Sequence, residues 1–161
     1  MTTIAPFPAP APTAQSAWTD RFPGRPACVA EVRAHALAFL THARVPPALR
    51  EDALLVVSEL VTNAVRHTEG PGSVRLARDA TGIDVTVSDT SRLLPVPRLT
   101  EPGSTTNGLG LRLVAALCDI VYTTLDPGSG KTVHAHLTAA RGPAAAAGRP
   151  TAARPGRTRR W

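Results

Sequence analysis

Residues 17–22, AWTDRF, alternate apolar and polar side chains, the period of a strand, and Pro23 and Gly24 end the run. The period then lengthens. In PACVAEVRAHALAFLTHARV, Val29, Val32, Ala36, Leu37 and Leu40 fall on one face of a helix, with Pro26 suited to its first turn. Pro46 and Pro47 break that helix and open another, predicted over about 48–67. SVRLARD and IDVTVSD return to period two. The ATG between them makes an antiparallel hairpin the expectation. Residues 91–107 are dense in Pro, Gly, Ser and Thr and predict a long loop. GLGLRLVAALC then reads as a helix opened by glycine, and IVYTTL, DPGSG and KTVHAHL as a second hairpin. Helices interleaved with strand pairs predict an α+β fold, a two-layer α/β sandwich with the helices on one sheet face.

Composition sharpens this picture. The chain is 43% hydrophobic but only 4% aromatic, so its core must be built from Leu, Val and Ala. Residues 1–15 are rich in Pro, Ala and Thr, and 139–161 in Ala, Gly, Pro and Arg; both are expected to be disordered. One folded domain over 16–138 remains. The net charge of +6 comes entirely from the six arginines of residues 139–161; the other 138 residues hold 12 basic and 12 acidic side chains. Six arginines dispersed among Pro and Ala, with Trp161 the sole aromatic, are thin support for a nucleic-acid or membrane arm. Cys28 and Cys118 sit in apolar helical patterns and are expected as buried free thiols in a reducing compartment. No apolar run approaches the roughly 18 residues that cross a membrane, and MTTIAPFPAPAPTAQ has no basic region ahead of an apolar one. The expected location is cytoplasmic.

Three features carry candidate chemistry. In ALLVVSELVTNAVRHTEG, Glu59, Asn63 and His67 follow one another at intervals of four and form one polar ridge on a helix. A carboxylate flanked by apolar residues is either desolvated, which suits general-base work, or lines a cavity. An amide one turn later can hold water or a hard cation through its oxygen. A plain solvated face would more often carry Lys, Glu and Arg, because Asn is disfavoured inside helices. Asp89 ends a strand ahead of the long loop, where it either starts a turn or accepts a hydrogen bond from a ligand amine. Gly108 and Gly110 bracket Leu109 where a helix begins, and the free N–H groups there suit an anion. The spacing is neither a dinucleotide fingerprint nor a P-loop. The long loop before it is suited to act as a lid.

Taken in this order, the motifs resemble the histidine-kinase-like ATPase superfamily. SELVTNAVRHT is similar to its N box, VTVSDTS to its G1 box and NGLGLRLV to its G2 box; with FPGRPACVAEVR ahead of them, the likeness is nearest to bacterial anti-sigma factor serine/threonine kinases. The resemblance implies a Bergerat fold, a mixed and mostly antiparallel sheet with ATP on its helical side. It implies that Asn63 ligates Mg²⁺, that Glu59 is the general base and that Arg66 and His67 lie near the phosphates. Asp89 would read the adenine amine, with Ser91 standing where glycine is common. Gly108, Leu109, Gly110 and Leu111 would cradle the phosphates, although Thr106 replaces a further glycine. Thr132 would support the adenine site. The implied activity is transfer of the ATP γ-phosphoryl group to a serine or threonine of an anti-sigma antagonist, with a sigma factor as second partner and a homodimer expected. The alternative is a non-catalytic ATP-binding module that acts by binding partners.

Overall fold

The computed structural model describes residues 14–68, 70–93, 109–127 and 130–139. The expected disordered ends, apart from residues 14, 15 and 139, lie outside the described residues, as do most of the expected lid and Gly108. In chain order the elements are β1 (Ser16–Phe22), α1 (Cys28–His42), α2 (Pro47–His67), β2 (Gly72–Arg78), β3 (Gly82–Asp89), α3 (Leu109–Leu117), β4 (Ile120–Leu125) and β5 (Lys131–Thr138). The strands form one sheet in the order β1-β2-β3-β5-β4, and every pairing among them is antiparallel. The last hairpin therefore turns inward, placing β5 beside β3 and leaving β4 at the edge.

Alternation along the strands separates two faces. Val74 and Leu76 of β2, Ile83, Val85 and Val87 of β3, and Val133, Ala135 and Leu137 of β5 are buried beneath the helices. On α2, Ala53, Leu54, Val56, Val57, Leu60, Val61 and Ala64 face them. Each fully buried valine or leucine contributes roughly 1.5–3 kcal/mol, so short aliphatic side chains suffice where aromatics are scarce. Pro47 opens α2 in its first turn, and the Arg50 N–H donates to the Pro46 carbonyl. Cys28 and Cys118 are free and buried.

The first helix departs from its expected face. Cys28, Val32, Ala36 and Leu40 are buried, but Leu37 is 44% exposed. The buried arc of α1 is narrow, and Leu37 falls about 60° beyond its edge. Pro26 also precedes the helix instead of starting it. Trp18 of β1 closes the near end by stacking on Phe39 at 6.2 Å, and Arg33 ties α1 to α2 by donating to Ser58 Oγ at 2.7 Å.

The opposite sheet face is polar. His134 stacks on Tyr122 at 4.5 Å and lies 3.2 Å from Thr124 Oγ1. Burial holds its pKa below the ordinary value, against the pull of Asp126 and Asp84. The unfolded chain therefore takes this proton first. Stability is expected to fall as pH drops below about 6.5, and His134→Gln should flatten that part of the profile. Denaturation midpoints of both proteins at neutral and mildly acid pH measure it.

Candidate functional site

The polar ridge of α2 is neither core nor open surface. Glu59 and Asn63 are half-buried, and Arg66 and His67, one turn on, are exposed. Glu59 reaches α3. A β-carbon on Gly110 would stand 2.0 Å from Glu59 Oε2 and 3.0 Å from its Cδ, so only glycine lets the carboxylate lie against the first turn of that helix. There the first N–H groups, from Leu109 onward, have no acceptor within their own helix. Leu111 points its side chain into the hydrophobic layer and so offers only backbone to a ligand.

Between α2 and α3 lies a cleft of about 520 Å³, lined by Glu59, Gly110, Arg112, Leu113 and Ala116. The cleft is open, with Arg112, Leu113 and Ala116 on its exposed wall. Arg112 was not among the expected residues. The signal that could have found it is its place two residues after Gly110, in the first turn of a helix whose N-terminus favours anions.

Asn63 supplies a second sign of an unfinished site. Its Nδ2 is buried without a hydrogen-bond partner. Such an orphan costs about 1–3 kcal/mol and is retained in folded proteins chiefly where a group has work to do. Among the described residues no three His, Cys, Asp or Glu side chains gather to hold a metal. An unpaired N–H seeks an acceptor such as a phosphate oxygen, while Oδ1 of the same amide is the atom that would take Mg²⁺, an ion that accepts one or two protein oxygens and completes its shell with phosphates and water.

A second cluster of expected residues lies at the mouth of the β3–β5 ladder. Asp89 ends β3 and Lys131 begins β5, directly opposite. Asp89 Oδ1 accepts from Lys131 Nζ and from the Ser91 backbone N–H, both at 2.8 Å. The two side chains are 4% and 5% exposed. Ser91 thus enters through its backbone, closing a turn on Asp89. Gly130, at φ +95°, carries the chain into Lys131, and its backbone runs so close to Asp89 that a β-carbon would stand 2.3 Å from the Asp89 carbonyl oxygen. Gly70, just past α2, presses on Thr90 in the same way, joining the end of the polar ridge to the end of β3.

Thr132 is a correction. It pairs with Ser88, not Asp89, and its hydroxyl is shared with Ser88 Oγ at 2.8 Å and Asp126 Oδ2 at 3.0 Å. Successive strand residues point to opposite faces, so Thr132 lies on the polar sheet face and Lys131 takes the place beside the carboxylate. The structure thus joins Glu59 with Gly110, and Asp89 with Ser91 and Lys131. Asn63 lies one helical turn beyond Glu59, Arg66 and His67 stand at the exposed end of α2, and Gly108 lies outside the described residues.

Comparison with known proteins bears on the fold and the family. No curated protein matches the chain. Among solved structures, a chain in the crystal structure of the SiaB–SiaC complex from Pseudomonas aeruginosa shares the fold. Its TM-score is 0.54 at 15% identity, over 75% of this chain and 89% of that one. No helix among the described residues is long and apolar enough to cross a membrane. The family model described as histidine kinase-like ATPase domain matches residues 22–137, most of the sequence, and the chain belongs to that family.

Proposed function

We propose that this protein binds ATP with Mg²⁺ in the cleft between α2 and α3 and passes the γ-phosphoryl group to a serine or threonine of a partner protein of the anti-sigma antagonist type. The observation that carries this reading is the contact of Glu59 with Gly110, which sets a carboxylate against the N-terminus of α3. Family membership supports the nucleotide. The structural neighbour, found in a complex with another protein, is in keeping with a protein partner. A sigma factor as second partner and a homodimer belong to the same reading.

In this mechanism the first-turn N–H groups of α3, from Leu109 to Leu111, hold phosphate oxygens. Arg112 and Arg66 add positive charge around them, and His67 offers a ring nitrogen. Asn63 Oδ1 would hold the metal, which would neutralise charge on the phosphates. Asp89 receives the amine of the base. Glu59 accepts the proton of the attacking hydroxyl as its oxygen bonds to the γ-phosphorus; the bond to the β–γ bridging oxygen breaks and ADP leaves. The protein's share of this work is positioning and electrostatics.

Titration with ATP, with and without Mg²⁺, tests the site. Wild type is expected to bind more tightly with Mg²⁺, and Asn63→Ala to lose about tenfold or more of that metal-dependent gain. Equal binding by both proteins under both conditions removes Asn63 from the metal.

A further inference from the structure

The proposed reading gives the base to Asp89 alone, yet the structure places an ammonium on the same carboxylate. Lys131 Nζ lies 2.8 Å from Asp89 Oδ1. Its side chain is 5% exposed, and Asp89 is its only polar partner among the described residues. An ammonium has three N–H donors, and one is used here. Leaving the others buried and unpaired is costly. A carboxylate likewise has room for about four hydrogen bonds, and Oδ1 takes the two described.

The pair therefore presents an acceptor and a donor side by side at the mouth of the β3–β5 ladder. That pattern complements a ring edge on which an exocyclic amine sits next to an unprotonated ring nitrogen. Adenine has this edge at N6 and N1. A lone carboxylate would read only the amine. We infer that Lys131 is a base-reading residue, donating to the ring nitrogen while Asp89 accepts from the amine beside it. Gly130 serves this directly, since its left-handed backbone and close approach to Asp89 fix where the lysine leaves β5. The inference rests on the reading that the cleft binds ATP.

The test is a binding titration of the full chain with ATP, 1-deaza-ATP (a C–H in place of the ring nitrogen) and GTP. Wild type is expected to bind ATP about tenfold or more tightly than 1-deaza-ATP, the worth of a hydrogen bond from a charged donor, and Lys131→Met to bind the two alike. A purely structural ion pair would not produce this loss of discrimination. Lys131→Met leaves a buried carboxylate unpaired and is at risk of not folding, so a second measurement uses wild type alone. The ¹⁵N signal of the Lys131 ammonium should shift with ATP and not with 1-deaza-ATP. Equal affinity of wild type for ATP and 1-deaza-ATP overturns the inference. So does GTP binding as tight as ATP, because guanine has an oxo group in place of the adenine amine and a hydrogen on N1, and so reverses both groups of that edge. Failure of wild type to bind ATP at all defeats the nucleotide reading itself, a different result.

Discussion

Glu59→Gln is expected to lower phosphoryl transfer by roughly 10²–10⁴-fold and to leave ATP affinity little changed. The amide keeps the shape of the carboxylate and its place against Gly110, but it cannot take a proton at the attacking hydroxyl. In the proposed reading the phosphates are held elsewhere, by backbone and by arginine side chains, so binding is expected to survive. Gly110→Ala should reach a similar end by another route. Its β-carbon would occupy the space of Oε2. The tip of a glutamate is flexible and can swing away, so the fold is retained while the base is displaced. A displacement of that size costs about 10²-fold in rate. Transfer of labelled phosphate from ATP to the partner protein, or to water in its absence, reads both variants. A Glu59→Gln protein that transfers at the wild-type rate rules out this carboxylate as the base.

The second large effect is on stability. Lys131→Met is expected to destabilise the fold by about 3–5 kcal/mol, because it strands the Asp89 charge in the interior. Both side chains are almost wholly buried, so the little water that reaches them is a poor substitute for the lysine. Replacing both partners, as in Asp89→Leu with Lys131→Met, should recover most of the loss, since two apolar groups of similar size remove the unpaired charge along with its partner. Denaturant titrations of the single and double variants give the comparison. Equal destabilisation by both would mean that packing, not charge, decides the site.

Much of this was legible in the sequence, for a physical reason. Hydrophobic periodicity reports local geometry, so α2, both hairpins and the two layers follow from the spacing of Val, Leu and Ala. The ridge of Glu59 and Asn63 was visible because polar residues interrupt that spacing at intervals of four. What failed were distinctions that depend on a neighbouring element. Leu37 obeys the helical period, but how wide a stripe of α1 is covered depends on α2 and β1. Lys131 and Thr132 are adjacent, and which of them meets Asp89 is set by register against β3; a shift of one residue exchanges the two faces. The contact of Glu59 with Gly110 joins residues 51 positions apart, so no local pattern could announce it. Arg112 carries no pattern of its own, since a lone arginine on a helix is ordinarily a solvated surface residue.

The strand order has a consequence for how the protein is made. β5 is the last strand among the described residues to leave the ribosome, yet it lies inside the sheet between β3 and β4. A nascent chain that stops before Lys131 leaves β3 with a bare edge and Asp89 without its lysine. Such fragments should neither recognise nucleotide nor stay monomeric, because an unpaired strand invites another chain to fill it.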